Sequence, residues 1–100
     1  MLLTTLACQS TLRHPTLADA SWAATRWSGA TLAELEAGRK IYVRRCAGCH
    51  TLYSPEAHPP EYWRGQLGTM AEDAKISEDE QELIARFLIT LSTRTSTTAS

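Results

Sequence analysis

No stretch of this sequence approaches the roughly 18 consecutive apolar residues of a membrane-spanning helix, so nothing in it reads as a span. Charge of one sign is missing too: ten basic residues stand against eleven acidic ones, a formal net charge of -1. Nucleic-acid recognition calls for a concentrated basic face, and this balance argues against such a partner. Cysteine is scarce and odd in number, three in 100 residues, which rules out a disulfide framework. No segment alternates apolar and polar residues as a half-buried strand does, and there is no internal repeat. What remains is a single helical domain of ordinary globular composition, 43% hydrophobic and 21% charged. So short a chain builds only a modest core, to which a cofactor packed inside would add.

Residues 1–8 are apolar and uncharged, and Cys8 follows a small residue. They read as the remnant of an export signal, shorter than a complete one, which has a basic start and an apolar run of about 7 to 15 residues. Leu6-Ala7-Cys8 partly resembles the lipobox of bacterial lipoproteins, although Thr5 stands where an aliphatic residue is preferred. Cys8 is then either a lipidated terminus, giving membrane attachment, or a spare thiol. Residues 9–29 are irregular, punctuated by Pro15 and Gly29, with room for a short helix over Leu17 to Arg26.

Thr31-Leu32-Ala33-Glu34 is a capping box and opens a helix on which Leu35, Ile41, Tyr42 and Cys46 can share one side. Residues 51–58 read as a loop. Pro59-Pro60 starts another helix, running to about Met70. Ser77-Glu78-Asp79-Glu80 is a second capping box, its acids suited to the positive end of the helix dipole. Behind it Leu83, Ile84, Phe87, Leu88 and Leu91 form a continuous apolar stripe. Residues 92–100, almost all Ser and Thr, are too polar to pack and are expected to be a disordered tail.

The chemistry lies in Cys46-Ala47-Gly48-Cys49-His50, a C-x-x-C-H run of the kind that attaches c-type haem. Two thiols three positions apart can add to the two vinyl groups of one porphyrin, and the adjacent imidazole reaches the iron. Gly48 lets the backbone pass close to the ring edge. The competing readings, a zinc site or a dithiol redox pair, lack the second ligand pair or the βαβ context they need.

From Thr31 to Leu91 the sequence resembles the class I cytochrome c family. Gly38 and Tyr42 match the glycine and aromatic of that family's N-terminal helix, and Phe87 matches the aromatic partner on its last helix. The resemblance implies an all-α fold over residues 30–91, a small cytochrome c-like helical fold wrapped around one covalently attached haem c. In it the first and last helices cross at Gly38. It also implies a distal methionine ahead of the last helix, and Met70 is the one methionine besides Met1. A soft thioether favours ferrous iron and suits an electron carrier. The separation from His50 is short for the family, and His58 is the rival sixth ligand. His14 is expected at the surface.

Trp63 and Tyr62 are placed to pack on the porphyrin; the Trp63 indole has a haem propionate or a core acceptor open to it. Arg39, Lys40, Arg44 and Arg45, with Glu72, Asp73, Glu78, Asp79, Glu80 and Glu82, form either opposed steering patches or plain solvated faces, the latter favoured. The expected function is that of a monohaem electron-transfer protein with His50/Met70 ligation. It works as a carrier, or as the electron-transfer subunit of a periplasmic oxidoreductase, in the periplasm or on the outer face of a bacterial membrane. It is not an enzyme by itself, and its partner is a donor or acceptor oxidoreductase. A haem sensor with an open sixth position is the second reading.

Overall fold

The computed structural model describes residues 12–46 and 53–99, and within them the side chains of all but Cys46, Met70, Ala71, Asp73, Ala74 and residues 95–99. The described residues form four helices: α1 (Leu17–Arg26), α2 (Leu32–Cys46), α3 (Pro60–Ala74) and α4 (Glu78–Ala99), with one 3-10 turn at Pro55–Ala57. There is no strand among them.

Short polar signals set the helix starts. The Thr31 hydroxyl accepts from the Glu34 N–H at 3.2 Å, while the Glu34 carboxylate lies 3.6 Å from the Arg86 guanidinium of α4. At Ser77 the box is reciprocal: Ser77 Oγ accepts from the Glu80 N–H at 3.1 Å, and the Ser77 N–H donates to the Glu80 carboxylate at 3.3 Å. A third box, Thr16 with Asp19, opens α1. It escapes a search for Glu or Gln at the fourth position because Asp fills that role. Helix α3 runs a turn past Met70, the expected end, to Ala74, and stops where Lys75 takes a left-handed conformation at φ 58°.

Helix α4 is the axis of the fold. The other helices and the 3-10 turn all pack on it. Ile84, Phe87, Leu88 and Leu91 of its apolar stripe are buried and Leu83 partly so, but Ala85, Ile89, Thr90 and Ser92 are buried as well, so more than one side is covered. Tyr42 of α2, Trp63 and Leu67 of α3, and Ile84, Phe87, Leu88 and Leu91 of α4 belong to one core. A smaller cluster joins Ala23 of α1 to Ala30 and Leu35, flanked by Trp22 and Trp27. The two indoles meet edge to face at 6.1 Å, with Arg26 over both and Arg86 over Trp27.

The crossing of α2 and α4 matches the resemblance. A Cβ at Gly38 would overlap the Leu83 carbonyl oxygen and lie 3.0 Å from the Phe87 Cβ, so only glycine lets the two backbones approach this closely. Tyr42 and Phe87 meet just beyond, ring centres 6.3 Å apart.

The Ser/Thr-rich tail departs from expectation. Helix α4 continues through it to Ala99, and Ser92 is fully buried. Tertiary partners account for this. The Ser92 hydroxyl donates to the His58 carbonyl at 2.6 Å, and the Arg94 Nε donates to the Asp19 carboxylate at 2.6 Å. Asp19 is itself buried and also accepts from Arg13 at 2.9 Å and from the Thr16 N–H at 2.8 Å. Burial alone would raise the Asp19 carboxyl; hydrogen bonds from Arg13, Thr16 and Arg94 and the Arg13 charge outweigh it and hold the group below the usual carboxylate range.

Candidate functional site

Helix α2 ends at Cys46, so the first thiol-bearing position of the C-x-x-C-H run stands at the C-terminus of the helix that crosses α4. Ala47, Gly48, Cys49 and His50 lie outside the described residues, as do the side chains of Cys46 and Met70 and the whole of residues 1–11, Cys8 included. The chain is described again from Tyr53, and what flanks the motif on that side is a dense aromatic group.

The His58 imidazole stacks on Tyr62 at 3.8 Å, the planes 20° apart. Tyr53 meets it edge-on at 5.2 Å and Trp63 at 5.5 Å. Trp63 continues to Tyr42 at 6.1 Å, and so to the core. His58 is half-buried between the 3-10 turn and Pro60, at the start of α3. Tyr53 is half-exposed, the outermost ring of the group.

The Trp63 indole N–H donates to the Pro55 carbonyl at 2.8 Å, a buried bond. Of its two sequence-based roles, a propionate donor or a core residue, the second is the one found. Trp63 is 1% exposed, and its one donor is already committed inside the protein. Tyr42, expected as core, also has a polar role, its hydroxyl donating to the Tyr53 carbonyl at 2.8 Å. Sequence reading missed both bonds because their acceptors are backbone carbonyls, which carry no residue signature.

Position 70 lies in the last two turns of α3, on the side of the helix that also carries Trp63 and Leu67, since steps of four and three residues keep to one face. Both of those residues are 1% exposed. His14 is at the surface, as expected, paired with Glu36 at 2.9 Å on the N-terminal half of α2.

Arg45, Glu80 and Glu82 sit among opposite charges, whereas Arg39 donates to the Leu12 carbonyl at 2.9 Å. Arg45 lies 3.6 Å from Glu80, Arg64 3.1 Å from Glu82, and Arg86 reaches both Glu34 and Glu82, so opposite signs meet across the helix boundaries. Burial would raise the Glu82 carboxyl, but hydrogen bonds from Arg64 and Arg86 and their charges hold it below its ordinary value. No helix among the described residues is long and apolar enough to cross a membrane.

A family model described as dihaem cytochrome c matches residues 42–100, more than half of the chain. The match starts inside α2, one turn before Cys46, and takes in the haem motif, α3 and the whole of α4, including the Ser/Thr-rich stretch. No curated protein and no solved structure matches the chain.

Proposed function

Because the chain belongs to the dihaem cytochrome c family, we propose that it is an electron-transfer protein that carries a single haem c, attached through Cys46 and Cys49 and ligated by His50 and Met70. The family shows the coarser part: a c-type cytochrome, with covalently bound haem and electron transfer as its chemistry. The class I resemblance and the single haem are the finer part of this reading.

One observation carries the count. The 100 residues hold three cysteines, and Cys46 and Cys49 make the one C-x-x-C-H run. A second haem would need another pair of thiols followed by histidine. Cys8 has no such neighbour, being followed by Gln9, Ser10 and Thr11. The donor set thus fits one haem and does not fit two.

The structure supports the placement of the first. Cys46 ends a helix locked to α4 at Gly38, and position 70 is on the buried side of α3. Tyr42, Trp63 and Leu67 form the apolar core between these helices. The thioether of Met70 is soft and neutral, whereas His58 is already stacked against Tyr62 and boxed by Tyr53 and Trp63. Ligation by His58 would require that group to come apart.

When bound, haem iron supplies a one-electron couple, ferrous to ferric. The chain's part would be to supply His50 and Met70 to the iron and to admit a redox partner. That partner is a donor or acceptor oxidoreductase, met in the periplasm or at the outer face of a membrane, with lipidated Cys8 as the tether.

The test is optical and gravimetric. Coexpressed with a haem-attachment system, the protein is expected to gain the mass of one haem. Its oxidised spectrum should carry a red methionine-to-iron charge-transfer band that Met70→Ala removes. Two haems per chain would overturn the count, and a band unchanged in the variant would overturn Met70.

A further inference from the structure

Three side chains from three helices donate to three carbonyls within residues 53–58. Tyr42 of α2 holds Tyr53, Trp63 of α3 holds Pro55, and Ser92 of α4 holds His58, at 2.8, 2.8 and 2.6 Å. Among the described residues its backbone makes the two bonds of its 3-10 turn, Ala57 to Ser54 and His58 to Pro55. Its place in the fold therefore depends on donors brought from elsewhere. All three donors are on buried residues, where an abandoned hydrogen bond is costly.

The position of this segment gives the arrangement its meaning. Tyr42 sits one helical turn before Cys46, and Tyr53 follows shortly after His50. The Tyr42–Tyr53 bond thus closes a loop of chain that contains Cys46, Cys49 and His50. Two of the donors, Tyr42 and Trp63, touch directly, and Ser92 joins them through His58, whose ring meets Trp63. The Tyr42 ring touches Trp63 and Phe87, and Phe87 abuts Gly38 at the α2–α4 crossing.

We propose that Tyr42, Trp63 and Ser92 act together as positioning residues for residues 53–58, a brace that fixes the segment following the haem-attachment motif against α2, α3 and α4. The inference rests on the cytochrome reading for its purpose, but not for its geometry. Through that segment the brace would act on the motif that precedes it in the chain, and so on the iron's reduction potential. Each donor acts on the backbone, so the brace tolerates changes of loop side chain but not loss of a donor.

Hydrogen exchange at the Trp63 indole N–H in the ferrous, haem-loaded protein tests this, with Tyr42→Phe and Ser92→Ala as the variants. Each removes one hydroxyl and leaves the Trp63 bond itself intact. If the three donors act as a unit, indole exchange accelerates about fivefold in both variants, the equivalent of one net hydrogen bond. The backbone amide of Leu88, in the middle of α4, keeps its rate, and the reduction potential moves in both variants. Equal acceleration at Leu88 would mean general destabilisation and overturn the proposal; so would an unchanged indole rate or an unchanged potential. If Tyr42→Phe does not fold, Ser92→Ala alone decides by the same readings. Wild type without covalent haem, seen in its pyridine haemochrome spectrum, sinks the cytochrome reading; haem present with an unmoved indole rate sinks the brace alone.

Discussion

Gly38 shows how much one missing side chain decides. A helical glycine ordinarily costs up to about 1 kcal/mol relative to alanine, so replacing it should help. At Gly38 the added methyl would overlap the Leu83 carbonyl oxygen and crowd the Leu83 carbon at 2.8 Å. Both atoms belong to backbone and cannot turn aside. Gly38→Ala is therefore expected to lower the unfolding free energy by about 1–3 kcal/mol, the range of overpacked cores. Gly65, in α3, is the internal control: nothing lies within 4 Å of its added Cβ, and Gly65→Ala should stabilise by up to about 1 kcal/mol. Urea unfolding followed by helical circular dichroism measures both. Equal effects of the two substitutions would remove the crossing as the reason for the glycine. This residue was legible in the sequence, since Gly38, Tyr42 and Phe87 together match a known helix crossing. The hydroxyl of Tyr42 was not, because nothing in the residue type says which carbonyl it will find.

Between elements, Asp19 of α1 is bonded to Arg94 of α4 and to Arg13 of the segment that precedes α1. The carboxyl is held below its ordinary range, so its contribution is fully present above the unfolded value of about 4 and is lost as pH falls toward the depressed folded value. Unfolding free energy measured in urea from neutral pH downward should thus fall below about pH 4. Asp19→Asn should cost about 2 kcal/mol at neutral pH and flatten part of that acid slope. An unchanged slope in the variant would place the acid sensitivity elsewhere, with Glu82, also depressed, as the next group to replace. The local halves of these elements were readable: the full capping box at Ser77, the Thr31 half of the one at α2, the proline start of α3 and the apolar stripe of α4 all lie within a turn or two of chain. The length of α4 was not. Ser and Thr are weak helix formers, and their composition alone points to a tail. Ser92 and Arg94 are helical because His58 and Asp19, far away in sequence, complete them. The candidate site divides in the same way. Cys46, Cys49 and His50 stand together in a five-residue pattern, whereas the aromatic box around His58 draws on residues whose meeting depends on the fold.

Over the whole molecule, α1 and the Trp22–Trp27 pair lie outside the family match and pack against α4 and the core. A chain starting at Thr31 is expected to load haem still, because motif, α3 and α4 are all present. It should also unfold at lower urea, since Trp22, Ala23, Trp27 and the Asp19–Arg94 bond are gone. Haem content and urea midpoint of the shortened chain check the two halves of that statement, and failure to load haem would make α1 part of the site. The burial of α4 on several sides has one more consequence, for the order of events during synthesis. The other helices pack chiefly on the element made after them. Until α4 emerges they have little to fold against, and the chain stays open while Cys46, Cys49 and His50 are already made. An open chain leaves both thiols uncovered, so this order of packing presents the C-x-x-C-H run before the domain closes.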